Sequence, residues 1–343
     1  MWILGIESSC DETAVALYSP GTSPCFLERI ARQYETHAPY GGVVPELASR
    51  CHLESIAMLV HDVCRDADIR TDDIDVVAAT AGPGLAGALI VGLSYGKALA
   101  FSVGKPFVAV NHIEAHMYAA CAETDVSFPF LSLVVSGGHT ILTDITGETA
   151  YTVIGRTRDD AAGEAFDKGA KILGLGFPGG LAVQQQAENG DPRAYRFPRA
   201  MLSDATADFS FSGLKTSLLY FHKEHPEAPL PDVAASYQEA IVDVLVTKSI
   251  KTALNLERDT IVIGGGVSAN TRLRSVMTDT AKEHGIRVIL PSFSLCTDNA
   301  RMIAYRGCSV FQARGADSLG TDIFTSFNPE NETKAYETEQ SSC

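Results

Sequence analysis

The chain has 343 residues, 45% of them hydrophobic and 20% charged, with a formal net charge of −15. This is ordinary globular material, long enough for two domains and a core that buries most of its apolar surface. The acidic balance argues against a chain that alone presents a broad basic surface to a polyanion, so any nucleic acid must meet a local patch or a helper protein.

The amino terminus, Met1 to Glu7, carries no basic leader followed by a small-residue cleavage site, so an export signal is not expected and a cytoplasmic location is. Trp2 to Ile6 reads as a short apolar strand, Glu7 to Asp11 as a polar turn, and Thr13 to Tyr18 as a second strand. Pro45 to Arg65 has the spacing of an amphipathic helix, with Ala48, Ile56, Leu59, Val60 and Val63 on its apolar face. From Val76 to Gly96 there are 21 residues without a charge, enough by length to cross a bilayer. Pro83 and five glycines (82, 84, 87, 92, 96) divide that run, which reads better as strand, tight turn and buried helix. The strand Phe107 to Val110 follows.

Phe128 to Val135, the turn Ser136 to His139, and Thr140 to Ile145 repeat the strand-turn-strand plan. After a long insertion at about 151–231 and a helix from Asp232 to Leu254, the strand Thr260 to Ile263 leads into Gly264-Gly265-Gly266. A helix from Ser268 to His284 and a strand from Arg287 to Leu290 complete this half. The repeat predicts an α/β protein of two duplicated lobes with a central cleft, divided as 1–110 and 111–327. The polar, acidic end at 328–343 is expected to be disordered. Eight cysteines (10, 25, 51, 64, 121, 296, 308, 343) include no C-x-x-C pair and read as reduced and intracellular.

The first chemical signal is Asn111-His112-Ile113-Glu114-Ala115-His116, directly after an apolar strand. If it opens a helix, His112 and His116 lie one turn apart, about 40° around the axis, and can take adjacent positions on a divalent metal. The alternative is a pair of surface or partly buried histidines. Asp298, in Cys296-Thr297-Asp298-Asn299, is a helix N-cap by type or the carboxylate that completes a His2Asp set. A zincin would need the Glu beside the first histidine; Glu114 is two residues on and points about 200° away, which disfavours a metallopeptidase.

Three loops suggest a nucleotide. Gly82 to Gly87 fits G-x-G-x-x-G, but no Asp or Glu lies between Val76 and Ile113 to hold a ribose, so NAD is discounted and helix packing explains the glycines equally well. Val135-Ser136-Gly137-Gly138-His139-Thr140 offers converging N–H groups and hydroxyls to an anion. Gly264 to Asn270 brings the backbone close to a ligand, with Asn270 able to read a hydroxyl or base edge. Asp159 and Asp160 read as acids in a first helical turn, whereas Asp167 is either a ligand group or an ion pair with Lys168 and Lys171.

Gly5 to Thr13, Gly41 to Glu46, His112 to His116, Val135 to Thr140, Asp159 to Lys168, Phe209 to Lys215, Gly265 to Asn270 and Cys296 to Asn299 together resemble the TsaD (Gcp, YgjD) family over about residues 1–320. The resemblance implies the ASKHA fold, the actin-like and sugar-kinase-like architecture. It implies transfer of the threonylcarbamoyl group from threonylcarbamoyl-AMP to N6 of adenosine 37 in tRNAs that read codons beginning with A. By the same carry-over His112, His116 and Asp298 match the family's metal ligands, with Fe(II) expected and Zn(II) the alternative. Val134, Val135, Ser136, Gly137, Gly138, Asp167, Gly180 and Asn270 match its adenylate-binding positions. The partners implied are tRNA, a TsaB-like paralogue and a TsaE-like ATPase, and no membrane. This chain departs from the family in having Leu181 where a Pro is usual, Gln184 to Gln186 where an acid is usual, and Thr321 to Phe327 in place of a basic end.

The expected mechanism is positioning and charge stabilisation of an already activated mixed anhydride. The metal would act as a Lewis acid on the threonylcarbamoyl group, and the Ser136 to Gly138 N–H groups would hold the phosphate of departing AMP. Asp11 is the candidate catalytic group for the N6 proton. The alternative from another class is a nucleotide-binding scaffold with a structural metal.

Overall fold

The structure, a computed structural model, describes residues 1–21, 24–40 and 42–328. Gly41, within one family motif, and all of the expected disordered tail except Asn328 lie outside the described residues. Two compact units divide the chain, one of Met1–Glu123 with Thr297 onward, the other of Thr124–Cys296.

In the first unit β1 (Ile3–Glu7), β2 (Glu12–Ser19), β3 (Cys25–Arg32), β4 (Val76–Gly82) and β5 (Phe107–Asn111) form a sheet in the order β3-β2-β1-β4-β5. Its helices include α1 (Tyr34–His37), α2 (Pro45–Asp66), α3 (Ala86–Val103) and α4 (His112–Tyr118). In the second unit β6 (Phe130–Val135), β7 (Thr140–Gly147), β8 (Ala150–Arg156), β9 (Thr260–Gly264) and β10 (Arg287–Ile289) give the order β10-β9-β6-β7-β8. Around them lie α5 (Ala162–Ile172), α6 (Gly179–Ala187), α7 (Ser212–Glu224), α8 (Leu230–Asn255) and α9 (Thr271–Glu283). Each sheet is therefore an antiparallel three-strand meander extended by two parallel strands. The duplication seen in the sequence is real. Its third strand in each half, β3 and β8, escaped the sequence reading, and β8 occupies the start of what looked like an insertion.

The last helix, α10 (Ala300–Arg314), returns to the first unit. The expected division at residue 110 is corrected accordingly: His112–Glu123 and the chain from Thr297 belong with the first sheet. The physical reason is period-two burial on both faces of that sheet. Ile3, Ala14, Ala16, Ala78, Val108 and Val110 pack with Ile303 and Ala304 of α10, while Leu4, Ile6, Val15, Val77 and Ala79 pack with α2 and α3 on the other side. Without α10 one face of the sheet would stay uncovered.

Close approach fixes this layer. A Cβ on Gly5 would lie 2.5 Å from the Ala304 backbone N, and one on Gly307 would lie 2.3 Å from Ala78 Cβ. α3 is long and apolar enough by composition to cross a membrane, yet Leu89, Leu93 and Ala100 are buried and Gly92 and Gly96 abut Ser8 and Ala79. It is buried only along the face that its glycines bring against the first unit, and Ile90 and Phe101 stay exposed. Gly84 and Gly87 abut Ser9 O and Ser49 Oγ, and Leu85 N–H donates to Ser9 O at 2.8 Å, so close packing accounts for the G-x-G-x-x-G loop. Gly5→Ala is predicted to destabilise the protein by about 1–3 kcal/mol through overpacking; urea unfolding measures it, and wild-type stability would deny the α10 contact.

Candidate metal centre and nucleotide-binding loops

His112 and His116 open α4, directly after β5. Asn111 caps that helix, its Oδ1 accepting from Ile113 N at 2.8 Å and Glu114 N at 3.2 Å, which satisfies two donors the first turn leaves free. The two rings meet edge-on with centroids 4.8 Å apart. The Asp298 Oδ1 atom lies 3.1 Å from His116 Nε2 and 3.4 Å from His112 Nε2. Both imidazoles are buried, and the N-cap of α10 is not Asp298 but Asn299, whose Oδ1 accepts from Met302 N at 2.9 Å. Asp298, one residue earlier, is left to face the histidines.

Three donor atoms, two imidazole nitrogens and one carboxylate oxygen, thus lie within 4.8 Å of one another. Such a set fits a divalent transition ion and leaves coordination positions for a substrate. The surroundings fit as well. Glu7, fully buried at the end of β1, accepts from His112 Nδ1–H at 2.9 Å, Thr80 Oγ1–H at 2.7 Å and Ser9 N–H at 2.5 Å. A carboxylate can only accept here, so Nδ1 carries a proton, and Nε2 is the nitrogen left to face a metal beside Asp298. Burial disfavours charge on this group of residues, but their mutual attraction wins. The His112 pKa is held well above its usual value by Glu7 and Asp298, and that of Asp298 is held far below the carboxylate range by His112 and His116. Glu7 was read from the sequence as the start of a polar turn; an acid closing an otherwise apolar strand was the available signal.

Glu114 points elsewhere. Its Oε2 accepts from Arg306 Nη2 at 2.9 Å and Nε at 3.2 Å, and the guanidinium lies 4.3 Å from the Tyr118 ring centroid. Buried with Arg306, it is not a base for a peptidase. Asp11 stands on the turn between β1 and β2, and its neighbours Cys10 and Glu12 feel its charge together with that of Asp298. Burial first, and those two carboxylates second, push Glu12 up to about 8.

In the second unit Val134 and Val135 end β6, followed by a turn in which Ser136 N–H donates to His139 O at 2.8 Å and His139 N–H to Ser136 Oγ at 3.1 Å. Space is open where side chains of Gly137 and Gly138 would stand, whereas a Cβ on Gly163 would lie 2.5 Å from Ser136 O. Gly265, at φ +85°, abuts Val135 O. The structure therefore brings the glycine loops after β6 and β9 together with the start of α5.

Asp167 does not pair with the lysines. Lys168 binds Asp160 and Glu164, while Asp167 Oδ1 accepts from Gly179 N at 2.9 Å, beside Gly180 in the first turn of α6. Burial raises the Asp167 pKa. Asp159 caps α7 rather than α5, accepting from Ser210 Oγ and Ser212 Oγ at 2.6 Å and from Phe211 N at 2.8 Å. Asn270 caps α9 through Leu273 N at 2.9 Å and donates to Gln238 Oε1 at 2.8 Å. Gln184, one turn after Gly180, accepts from Thr271 N at 2.9 Å. A cavity of about 310 Å³ lies there, lined by Gln184, Gln238, Glu239, Thr271 and Arg272 among others. Gln238 was not singled out from the sequence, because it sits within a long helix with no local motif.

The atypical end docks on the first unit. Asp317 accepts from Ala109 N at 2.8 Å and donates its own N–H to Phe107 O at 2.7 Å, and Phe324 N–H donates to Ala81 O at 3.0 Å.

Glu7→Gln is predicted to weaken binding of a divalent metal about 10–100-fold, because the neutral amide orients His112 less firmly; titration with Zn(II) measures it, and wild-type affinity would remove Glu7 from the centre.

Residues 25–305 match the family described as "TsaD: tRNA N6-adenosine threonylcarbamoyltransferase". A protein of Kosmotoga olearia with that enzyme name is 52% identical over 305 residues, 89% of this chain and 92% of its own. Another, of Anaeromyxobacter sp. strain Fw109-5, is 51% identical over 325 residues, 92% of this chain and 97% of its own. Among solved structures, full-length HypF in the phosphate- and nucleotide-bound form aligns with a TM-score of 0.63 at 11% identity, over 91% of this chain and 46% of that one, a likeness of fold in keeping with the ASKHA architecture. The chain belongs to the TsaD family of tRNA N6-adenosine threonylcarbamoyltransferases.

Proposed function

We propose that the protein transfers the threonylcarbamoyl group from threonylcarbamoyl-AMP to N6 of adenosine 37 in tRNAs reading codons that begin with A, releasing AMP. The observation that carries this reading is the convergence of His112 Nε2 and His116 Nε2 on Asp298 Oδ1 in a member of this family. His112, His116 and Asp298 would hold one divalent metal, Fe(II) before Zn(II) as the resemblance implies, the nitrogen and oxygen donors suiting either ion. Such an ion supplies Lewis acidity toward a carbonyl oxygen.

The remaining work falls to the protein. The open Gly137-Gly138 turn with Ser136 suits the phosphate of the adenylate, and Asp167, Gly180 and Asn270, with Val134 and Val135 behind the turn, suit its nucleoside. The N6 lone pair attacks the carbamoyl carbon, the carbon–oxygen bond to phosphate breaks, and AMP leaves with the electron pair. Asp11 takes the proton that N6 loses.

The net charge of −15 calls for help in holding tRNA, and we assign that help to a TsaB-like paralogue and a TsaE-like ATPase in the cytoplasm. A surface for the paralogue is supported by apolar side chains left outward on two helices of the first unit: Leu53 and Met58 on α2, 69% and 58% exposed, and Ile90 and Phe101 on α3, 52% and 77% exposed.

Single-turnover reaction of the metal-loaded protein and its partners with pre-made adenylate and unmodified tRNA tests the reading. Modified adenosine is the expected product, and Asp298→Ala should abolish both metal retention and transfer with the fold intact. AMP release without modified tRNA, or full transfer by Asp298→Ala, would contradict it.

A further inference from the structure

Between the metal centre and α2 lies a buried polar chain that the reaction as described does not use. His52 on α2 is fully buried. Its Nε2 lies 3.0 Å from Cys10 O and its Nδ1 lies 2.7 Å from Thr13 Oγ1. A carbonyl cannot donate, so Nε2 carries the proton and donates to Cys10, while Nδ1 accepts from the Thr13 hydroxyl. Burial lowers the His52 pKa, in keeping with a neutral ring.

The chain continues outward. Gln33 Nε2 reaches Ala48 O and His52 Nδ1, each at 3.4 Å, and Gln33 Oε1 accepts from His37 Nε2–H at 3.0 Å. Val44 N–H in turn donates to His37 Nδ1 at 3.3 Å. Gln33 and His37 are both buried.

What this chain grips is the turn that carries Asp11 and Glu12. Earlier links of that turn are tied down one by one: Ser8 Oγ–H to Ala88 O at 3.0 Å, Ser9 N–H to Glu7 at 2.5 Å, and Leu85 N–H to Ser9 O at 2.8 Å. Cys10 O is the last backbone acceptor before Asp11, and His52 holds it from one side while gripping Thr13 on the other. A ring bonded to residues 10 and 13 spans the two carboxylates between them. We propose that His52 is a positioning residue, fixing the Cys10–Thr13 segment and with it the place of Asp11, the residue that takes the N6 proton. This rests on the transferase reading above.

The test uses full-length protein with its partners, metal and pre-made adenylate. Displacing a reacting group by about 1 Å can cost up to about a hundredfold in rate. His52→Ala should accordingly lower kcat at least about tenfold, with metal content and adenylate KM at wild-type values. His52→Gln should recover most of that loss, since its amide N–H can donate to Cys10 O and its carbonyl can accept from Thr13. Nitrogen-15 NMR of the wild-type protein should find the proton of the His52 ring on Nε2.

Unchanged kcat in His52→Ala, a loss carried by KM or metal content, equal loss in both variants, or a proton on Nδ1 would each overturn the inference. If His52→Ala does not fold, Thr13→Val decides: it removes the donor to Nδ1 and should reduce kcat, and wild-type kcat overturns the assignment. A wild-type protein that fails to modify tRNA would instead defeat the transferase reading, and the NMR result stands apart from both.

Discussion

The buried pair Arg306–Glu114 decides where the chemistry sits. Arg306, on α10, is fully buried and meets Glu114, on α4, at 2.9 Å. A charge pair taken out of water must stay closely matched, because separating it leaves an uncompensated buried charge at about 3–5 kcal/mol. The pair therefore clamps α10 to α4, and residue 298, just ahead of α10, returns to residues 112 and 116.

Other contacts refine the same placement. Glu28 of β3 accepts from Ala300 N at 2.8 Å and Arg301 N at 3.2 Å, so a carboxylate occupies the N-terminus of α10 where the helix dipole favours it. Asn299 supplies the side-chain cap. Asp298 directly precedes this fixed helix start, and Glu7 does for His112 what Glu28 does for α10. Function here is assembled from helix ends and strand ends, the places where backbone donors need partners and side chains can be aimed.

Much of this was legible in the sequence, and the failures have physical causes. The period-two apolar runs and glycine loops disclosed the duplication, and the i, i+4 spacing pointed to the two histidines whose rings the fold brings together. β3, Cys25–Arg32, was missed because Glu28, Arg29 and Arg32 interrupt its apolar pattern; it is an edge strand paired only with β2, where charges are tolerated. The return of α10 to the first sheet was invisible because no local pattern encodes contacts as distant in sequence as Gly5 with Ala304 or Ala78 with Gly307. Asp298 was expected near the histidines, and its Oδ1 lies 3.1 Å from His116 Nε2, but it was assigned to the second half, whereas the chain from Thr297 belongs with the first unit. Asp159 misled for a related reason: its partners, Ser210 and Ser212, lie some fifty positions away.

The central claim is that His112, His116 and Asp298 form one metal centre. Anomalous scattering from crystals grown with Fe(II) tests it most directly. A single peak bonded to His112 Nε2, His116 Nε2 and Asp298 is the predicted result; a peak on other residues, or none at full Fe(II) loading, would contradict the account.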